Sequence, residues 1–325
     1  MARVRNLARA LALSAALTAG PLAAQEGDPV ARGGYLVRAG GCLACHSDLE
    51  SDGPPFAGGG PIETPFGIFH APNITPDPIH GIGGWSEGDL AAALTQGTAP
   101  DGGHYYPVFP YTTYTRITDP DIADLWAYLQ SLPSVARPRR AHVLKFPFSI
   151  RSINLAWKVM FFEPQRFAPD PERTAQWNRG AYLVEALGHC GECHTPRNPL
   201  GGLSRDMAQA GTRFGPDGKS VPNITPDSET GIGDWSLGDI AWLLKTGFTP
   251  EGDDVQGRMS EVVEHGTSHL TGEDRTAIAV YLKSLSPIYN PVRPNDDDDS
   301  DTGGDDWGPL GAVIRMNPAD VRAMP

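Results

Sequence analysis

One block of sequence occurs twice, and that duplication limits what the chain can fold into. Gly34-Tyr35-Leu36-Val37 followed by Cys42-Leu-Ala-Cys45-His46 returns as Gly180-Ala181-Tyr182-Leu183-Val184 followed by Cys190-Gly-Glu-Cys193-His194. Pro72-Asn-Ile-Thr-Pro-Asp77 returns as Pro222-Asn-Ile-Thr-Pro-Asp227, and Gly81-Ile-Gly-Gly-Trp85-Ser86 as Gly231-Ile-Gly-Asp-Trp235-Ser236. Tyr128-Leu-Gln-Ser-Leu132 returns as Tyr281-Leu-Lys-Ser-Leu285. The landmarks keep one order and a separation of about 150 residues, which marks a duplicated unit. A length of 325 residues fits two units of ordinary domain size.

Each copy reads as a small, mainly helical unit with long loops. The Tyr-Leu-Val run suits a short helix that delivers the Cys motif. The stretch after the motif is dense in Pro and Gly, which block helix interiors and mark turns, so it is expected to be loop. A helix opens at Ser86 and its twin at Ser236, where Ser-x-x-Asp has the form of a capping box. The last helix opens at Thr118 and carries Ile122, Leu125, Trp126 and Leu129 at helical spacing. Its twin opens at Thr271 and carries Ile278, Tyr281, Leu282 and Leu285. Units this small and this rich in loop need a cross-link or cofactor to fill the core.

All four Cys of the chain lie in the repeated Cys-x-x-Cys-His. The count alone allows two disulfides, a zinc site or two separate pairs. Zinc would need further ligands at finger spacing, and a redox dithiol would need a strand-to-helix setting. Neither explains the His that follows both pairs. Covalent haem c does, because two thiols form thioethers to the porphyrin vinyls and the next residue places an imidazole under the iron. The spacing assigns two covalently bound haem c groups, one to Cys42, Cys45 and His46 and one to Cys190, Cys193 and His194.

Residues 72–109 align without a gap onto 222–259. Met259, expected in a loop, is the candidate for the far ligand of the second iron, with Met207 as rival and a core gap-filler as the bland alternative. Phe109 holds the same position in the first copy, and no Met occurs between Met1 and Met160. The first iron therefore has no thioether within its own copy. His104 in the same loop is the candidate replacement, ahead of His70, His80 or an open iron. A thioether raises the potential and a second imidazole lowers it, so electrons are expected to pass from the first haem to the second. Asn73 and Asn223 suit either turn chemistry or a haem-edge contact, and Trp85 and Trp235 suit core or haem packing.

Tyr-Leu-Val before the Cys motif, Pro-Asn-Ile-Thr-Pro-Asp, Gly-Ile-Gly-x-Trp, Tyr-Pro-x-x-Pro-Tyr and Tyr-Leu-x-Ser-Leu together resemble the cytochrome c subunits of bacterial membrane-bound alcohol, aldehyde and gluconate dehydrogenases. The resemblance covers roughly residues 30–290. It implies an all-α chain of two tandem class I cytochrome c modules with long loops, His and Met as iron ligands, and relay of electrons toward quinone or a terminal oxidase. Two features depart from that pattern. Those subunits often carry three haem motifs, whereas this chain has two. Their Tyr-Pro-x-Met-Pro-Tyr reads Tyr106-Pro-Val-Phe109-Pro-Tyr111 here.

Residues 1–24 have the layout of an export signal, with Arg3, Arg5 and Arg9 before an apolar run too short to span a bilayer. The modules are expected over 25–137 and 178–290, joined by a basic bridge over 138–177 and followed by an acidic tail over 291–325. The tail is expected to be disordered and to steer a basic partner. In the bridge, Ile150, Ile153, Trp157, Met160 and Phe161 fall near helical spacing. An amphipathic helix there would pack across the modules or dock on a partner or membrane surface. A net charge of −13 argues against a nucleic-acid partner. The expected function is a periplasmic dihaem cytochrome c, free or peripherally attached to the inner membrane. It would relay electrons from a dehydrogenase-like donor to a redox protein partner, with no catalytic residues of its own. The alternative is a dihaem enzyme of the peroxidase or thiosulfate-oxidising type with a reactive first haem.

Overall fold

Two crossed helix pairs carry the fold, one in each copy of the repeat. The computed structural model describes residues 27–215 and 218–292, so the expected export signal and nearly all of the acidic tail lie outside the described residues. Helix α1 (Pro29–Ala39) starts on Asp28, whose carboxylate accepts from the Val30 amide, with Pro29 in the first turn where no N–H is needed. It crosses α5 (Asp119–Ser131) at Gly33, where an added Cβ would lie 2.0 Å from the Asp124 carbonyl oxygen. In the second copy α7 (Ala175–Tyr182) runs into a wide π turn over Leu183–Leu187 and crosses α11 (Gly272–Lys283). There a Cβ on Gly180 would lie 1.9 Å from the Ala277 carbonyl oxygen. Only glycine lets the backbones approach this closely.

Between these pairs lie α3 (Glu87–Gln96) and α9 (Leu237–Thr246). Ser86 with Asp89 and Ser236 with Asp239 form full capping boxes, and Gly97 (φ 59°) and Gly247 (φ 81°) close the helices in the left-handed conformation. Thr118 and Thr271 cap α5 and α11, as their sequences predict.

The fold is mostly helical, but it is not all-α. β1 (Pro61–Thr64) and β2 (Gly67–His70) form an antiparallel hairpin, and β3 (Val143–Leu144) adds to β2 from the bridge. Two four-residue strands, the first opening on Pro61 and followed by Pro65 in the turn, give little periodic signal, and the sheet depends on a partner distant in sequence. Gly67 (φ 126°) admits β3, since a Cβ there would lie 2.3 Å from the Val143 carbonyl oxygen.

The buried apolar side chains of both copies form one continuous cluster, from Leu36 and Leu125 to Leu183 and Leu282. A reciprocal exchange of tyrosines binds the copies together. Tyr35 of α1 donates to Asp274 (2.6 Å) and accepts from the Thr271 amide (3.1 Å) at the start of α11. Tyr182 of α7 donates to Asp121 and accepts from the Thr118 amide (3.2 Å) at the start of α5.

The bridge contains α6 (Ile153–Phe161), which turns Asn154 and Lys158 inward and leaves Leu155, Val159 and Met160 exposed. Lys158 lies 2.5 Å from the Gln96 carbonyl and 3.3 Å from that of Gly97, where a cation suits the negative end of α3. Trp157 donates to the Leu200 carbonyl (2.9 Å), so α6 touches both copies. Among the described residues no helix is long and apolar enough to cross a membrane.

Candidate functional site

The two Cys motifs occupy α2 (Cys42–His46) and α8 (Cys190–His194). Each follows a left-handed residue at the same repeat position, Gly41 (φ 64°) and His189 (φ 41°). Glycine adopts that conformation freely, whereas histidine does so against its Cβ. These turns face one another. A Cβ on Gly41 would lie 3.5 Å from His189 Nε2. The His189 ring stands edge-on to Tyr114, 5.6 Å between centroids, and the Tyr114 hydroxyl donates to the Gly40 carbonyl (2.6 Å).

His46 Nδ1 lies 2.7 Å from the Pro72 carbonyl oxygen, and His194 Nδ1 lies 2.8 Å from that of Pro222. A carbonyl only accepts, so the ring proton sits on Nδ1 and Nε2 presents a lone pair. Burial lowers both imidazole pKa values, and the carbonyl contact opposes this only in part, so both rings are neutral. A carbonyl partner on the second nitrogen is how proteins orient a metal-ligating histidine. This explains why Pro-Asn-Ile-Thr-Pro is duplicated along with the Cys motif. Asn73 and Asn223 fold the same loop: each side-chain oxygen accepts from the amide two residues on (2.9 Å in both). Their nitrogens donate to the Val135 and Ile288 carbonyls (2.7 Å in both), past the ends of the last helices.

Burial pushes the Cys42 and Cys190 thiols up to about 12 and Cys193 up to about 11, and raises Cys45 as well. A structural zinc site would need two further ligands beside each Cys pair. Among the described residues no group of three or more His, Cys, Asp or Glu forms a metal-ligand set. Two thiols and a neutral, oriented imidazole per motif fit covalent haem c.

Glu192, inside the second motif where the first has Ala44, carries a role that spacing does not reveal. Its carboxylate accepts from Thr112 (2.6 Å) and Thr113 (2.8 Å) on α4 (Tyr111–Tyr114) of the first copy and pairs with Arg197. Burial pushes the carboxyl pKa up, but Arg197 and the two hydroxyls outweigh it and hold the group ionised, below the usual carboxylate range. The available signal was a charged residue between two cysteines. Conversely, α10 (Arg258–His265) of the second copy packs on α2 of the first.

The far-side candidates are placed unequally. Met259 is the second residue of α10, not part of a loop, and is half-buried against the core. Met207 ends a short 3-10 turn, Arg205–Met207. Phe109 packs on the rings of Tyr105, Tyr111 and Tyr114, with centroids 5.5, 6.4 and 5.9 Å away. The Tyr111 hydroxyl is buried and has no hydrogen-bond partner among the described residues. His104 sits in a turn bridged to Thr98, matched by Asp254 and Phe248 in the second copy. Its Nδ1 lies 3.0 Å from Lys158 Nζ. An ammonium only donates, so the ring proton is on Nε2. His70 lies on β2 with Nδ1 buried and unpartnered among the described residues, and the His80 amide donates to Asp77 (2.7 Å). Trp85 and Trp235 pack against the core.

Residues 30–133 match the Cytochrome c family. The chain is 46% identical over 261 residues to the diheme cytochrome c-type of Cereibacter sphaeroides, covering 79% of this chain and 86% of that one. It is 40% identical over 258 residues to the fructose dehydrogenase cytochrome subunit of Gluconobacter japonicus, covering 79% of this chain and 52% of that subunit. It is 36% identical over 314 residues to the alcohol dehydrogenase (quinone) cytochrome c subunit of Gluconobacter oxydans, covering 91% of this chain and 63% of that subunit. The chain thus spans about half to two thirds of the two dehydrogenase subunits. With its Cys motifs, its oriented imidazoles and these relatives, the chain belongs to the cytochrome c family, whose members hold haem c covalently and transfer electrons.

Proposed function

We propose that the protein is a periplasmic dihaem cytochrome c that takes electrons from a dehydrogenase-type donor and passes them to a second redox protein. The observation that carries this is the pair of equivalent motifs, each with its His fixed by a prolyl carbonyl, meeting across the two copies. When bound, haem c supplies reversible one-electron iron chemistry. Cys42 with Cys45 and Cys190 with Cys193 anchor it in the two tandem modules, and His46 and His194 offer Nε2 to iron. Met259 is the thioether assigned to the second iron. Phe109 offers no ligand, which keeps the first site at the lower potential. His104 holds its ring proton on Nε2 beside Lys158, an arrangement that opposes ligation as it stands. The diheme relative supports two haems, the dehydrogenase subunits support the donor class, and the layout of residues 1–24 supports export.

A pyridine haemochrome assay should find two haems per chain, and Cys42→Ala/Cys45→Ala should leave one. Redox titration should then resolve two waves. A single haem in the wild type, or two waves at one high potential, would sink the proposal. The second reading, a reactive first iron, is favoured by Phe109 and by the neighbouring Tyr111 hydroxyl, which is without a partner among the described residues. Rapid cyanide binding by the resting protein would establish it.

A further inference from the structure

The bridge covers a surface of the first copy whose twin in the second copy is open. In the first copy α6 sits on the end of α3 and on the turn that follows it. Lys158 reaches the Gln96 and Gly97 carbonyls, and Asn154 and Arg151 donate to the His104 carbonyl (3.4 and 3.1 Å). Thr98 and His104 are half-buried there. The second copy builds the same seat at the end of α9. The Thr249 amide donates to the Asp253 carbonyl (2.8 Å) as the Ala99 amide does to that of Gly103 (2.8 Å). Phe248 bridges to Asp254 as Thr98 does to His104. Among the described residues no counterpart of α6 follows α11 to cover this seat. Trp242 is 57% exposed and Phe248 48%, where the first copy has Ala92 and Thr98. Both aromatics stand at the end of α9, since the Thr246 hydroxyl donates to the Trp242 carbonyl (2.9 Å) and accepts from the Phe248 amide (3.2 Å). Exposed Glu251, Asp253 and Asp254 stand where the first copy has Asp101, Gly103 and His104. Lys245, the one cation of α9, is turned to the Ser268 carbonyl (2.8 Å).

Exposed aromatic side chains rimmed by carboxylates suit a basic protein. Aromatics are enriched at the centres of protein interfaces, and carboxylates at the negative end of a helix select a cation, as the end of α3 selects Lys158. The same carboxylates would be repelled by an anionic bilayer. We infer that the end of α9 and the turn Phe248–Asp254 form the docking surface for a basic one-electron redox protein. The partner presents lysines to Glu251, Asp253 and Asp254, and apolar side chains to Trp242 and Phe248. The turn runs on through Val255 to Met259 at the start of α10, so the surface adjoins the residue assigned to the second iron. One electron leaves there: the second iron goes from ferrous to ferric, and the partner's centre is reduced by one electron. The inference rests on the relay reading and gives the chemistry of the acceptor.

The test uses the full-length holoprotein and, as probe, mitochondrial cytochrome c, a basic one-electron protein with lysines around its haem edge. Calorimetry reads affinity, and stopped flow reads the second-order rate of electron transfer. Both should fall as salt rises. D253N/D254N should lower both by on the order of tenfold at low salt. W242A/F248A should weaken binding by on the order of tenfold with the salt dependence kept. D101N, on the aligned turn of the first copy, should bind and react like wild type. All three variants should keep the wild-type haem spectrum, potentials and unfolding midpoint, which separates a lost surface from a lost fold. Wild type that neither binds nor exchanges electrons with the probe at low salt overturns the inference. So do D253N/D254N and W242A/F248A that behave like wild type, in which case the relay reading stands and electrons leave elsewhere. Failure of the relay reading shows separately, without the probe, as one haem per chain or one potential. A loss in D101N equal to that in D253N/D254N would move docking to the first copy and overturn the inference. Tighter binding after removal of residues 293–325 would make the chain's own tail the occupant and overturn it too.

Discussion

The two copies are alike where they attach and scaffold, and unlike on the far side of their Cys motifs. Both cross a helix pair at a glycine, cap the middle helix with a Ser–Asp box, and fix the motif histidine on a prolyl carbonyl. One aligned position where they differ bears on the iron's far side in the proposed reading, Phe109 against Met259. The first copy closes that region with rings, over one of which Lys158 sits 5.5 Å from the Tyr111 centroid. In the second copy the aligned position is Met259, the second residue of α10, half-buried against the core. On the proposed reading, the residues that would hold the cofactor repeat while the position proposed to set its potential differs, since axial ligation is among the strongest levers on an iron centre.

The hardest blow to the likeness is to fill the two crossings. Gly33→Val and Gly180→Val each put a side chain into a backbone carbonyl that has no room to yield, and each should cost ~3 kcal/mol or more. Because one core spans both copies, each variant should shift a single cooperative urea transition. Two separable transitions, each moved by one variant alone, would show that the copies unfold independently.

The difference itself is tested by exchange. Phe109→Met should raise the lower potential by on the order of 100 mV, a modest part of the roughly 0.8 V that axial ligands command. Met259→Phe should lower the higher potential in the same way. Spectroelectrochemical titration reads both. If neither wave moves, the aligned position is not axial, and Met207 becomes the residue to exchange.

Next in size is the tyrosine exchange. Tyr35→Phe and Tyr182→Phe each remove a hydroxyl bonded to a carboxylate across the copies, at about 1–2 kcal/mol each in urea melts. Tyr35→Phe leaves Asp274 its bonds to Arg179 (2.7 and 2.8 Å), so it should be the milder of the two. Burial pushes the Asp274 carboxyl up, and Arg179 and Tyr35 outweigh it to hold the group below its ordinary range. A depressed carboxyl contributes stability above its unfolded pKa of about 4 and loses it as pH falls through the folded value. The Tyr35→Phe penalty should therefore shrink in acid. A penalty that is constant from neutral pH to pH ~3 would disconnect it from Asp274.

What the sequence makes legible is what local chemistry dictates. Ser86 and Ser236 announce their helices because a cap is satisfied within one turn, and the Asn73 and Asn223 turns are as local. Tyr35 also stands out as a repeated residue, but its partner Asp274 is 239 residues away, and no local pattern marks a tyrosine that reaches into the other copy. Glu192 meets Thr112 across 80 residues and escapes for the same reason. For α6, helical spacing reveals an apolar face without saying which way it points. That is decided by Lys158, whose ammonium finds the end of α3 and turns the apolar side chains to solvent.

The smallest expected effect concerns His104, and it separates two accounts of the first copy. His104→Ala removes one acceptor from Lys158, which keeps the Gln96 and Gly97 carbonyls, so stability should fall by only ~0.5–1 kcal/mol. With the ring proton on Nε2 and the Nδ1 lone pair engaged by Lys158, the imidazole has no free lone pair to give, and the haem spectrum and both potentials should stay as in the wild type. A shift of the first iron to a high-spin spectrum would put His104 on the metal and mean that the Lys158 contact opens in the loaded protein. Lys158→Met makes the comparison sharper, because it removes the donor and frees Nδ1 to carry the proton. If the first iron then captures the released ring, the spectrum changes in Lys158→Met and reverts in the Lys158→Met/His104→Ala double variant. Lys158 would in that case be the residue that keeps the first copy from acquiring a second imidazole.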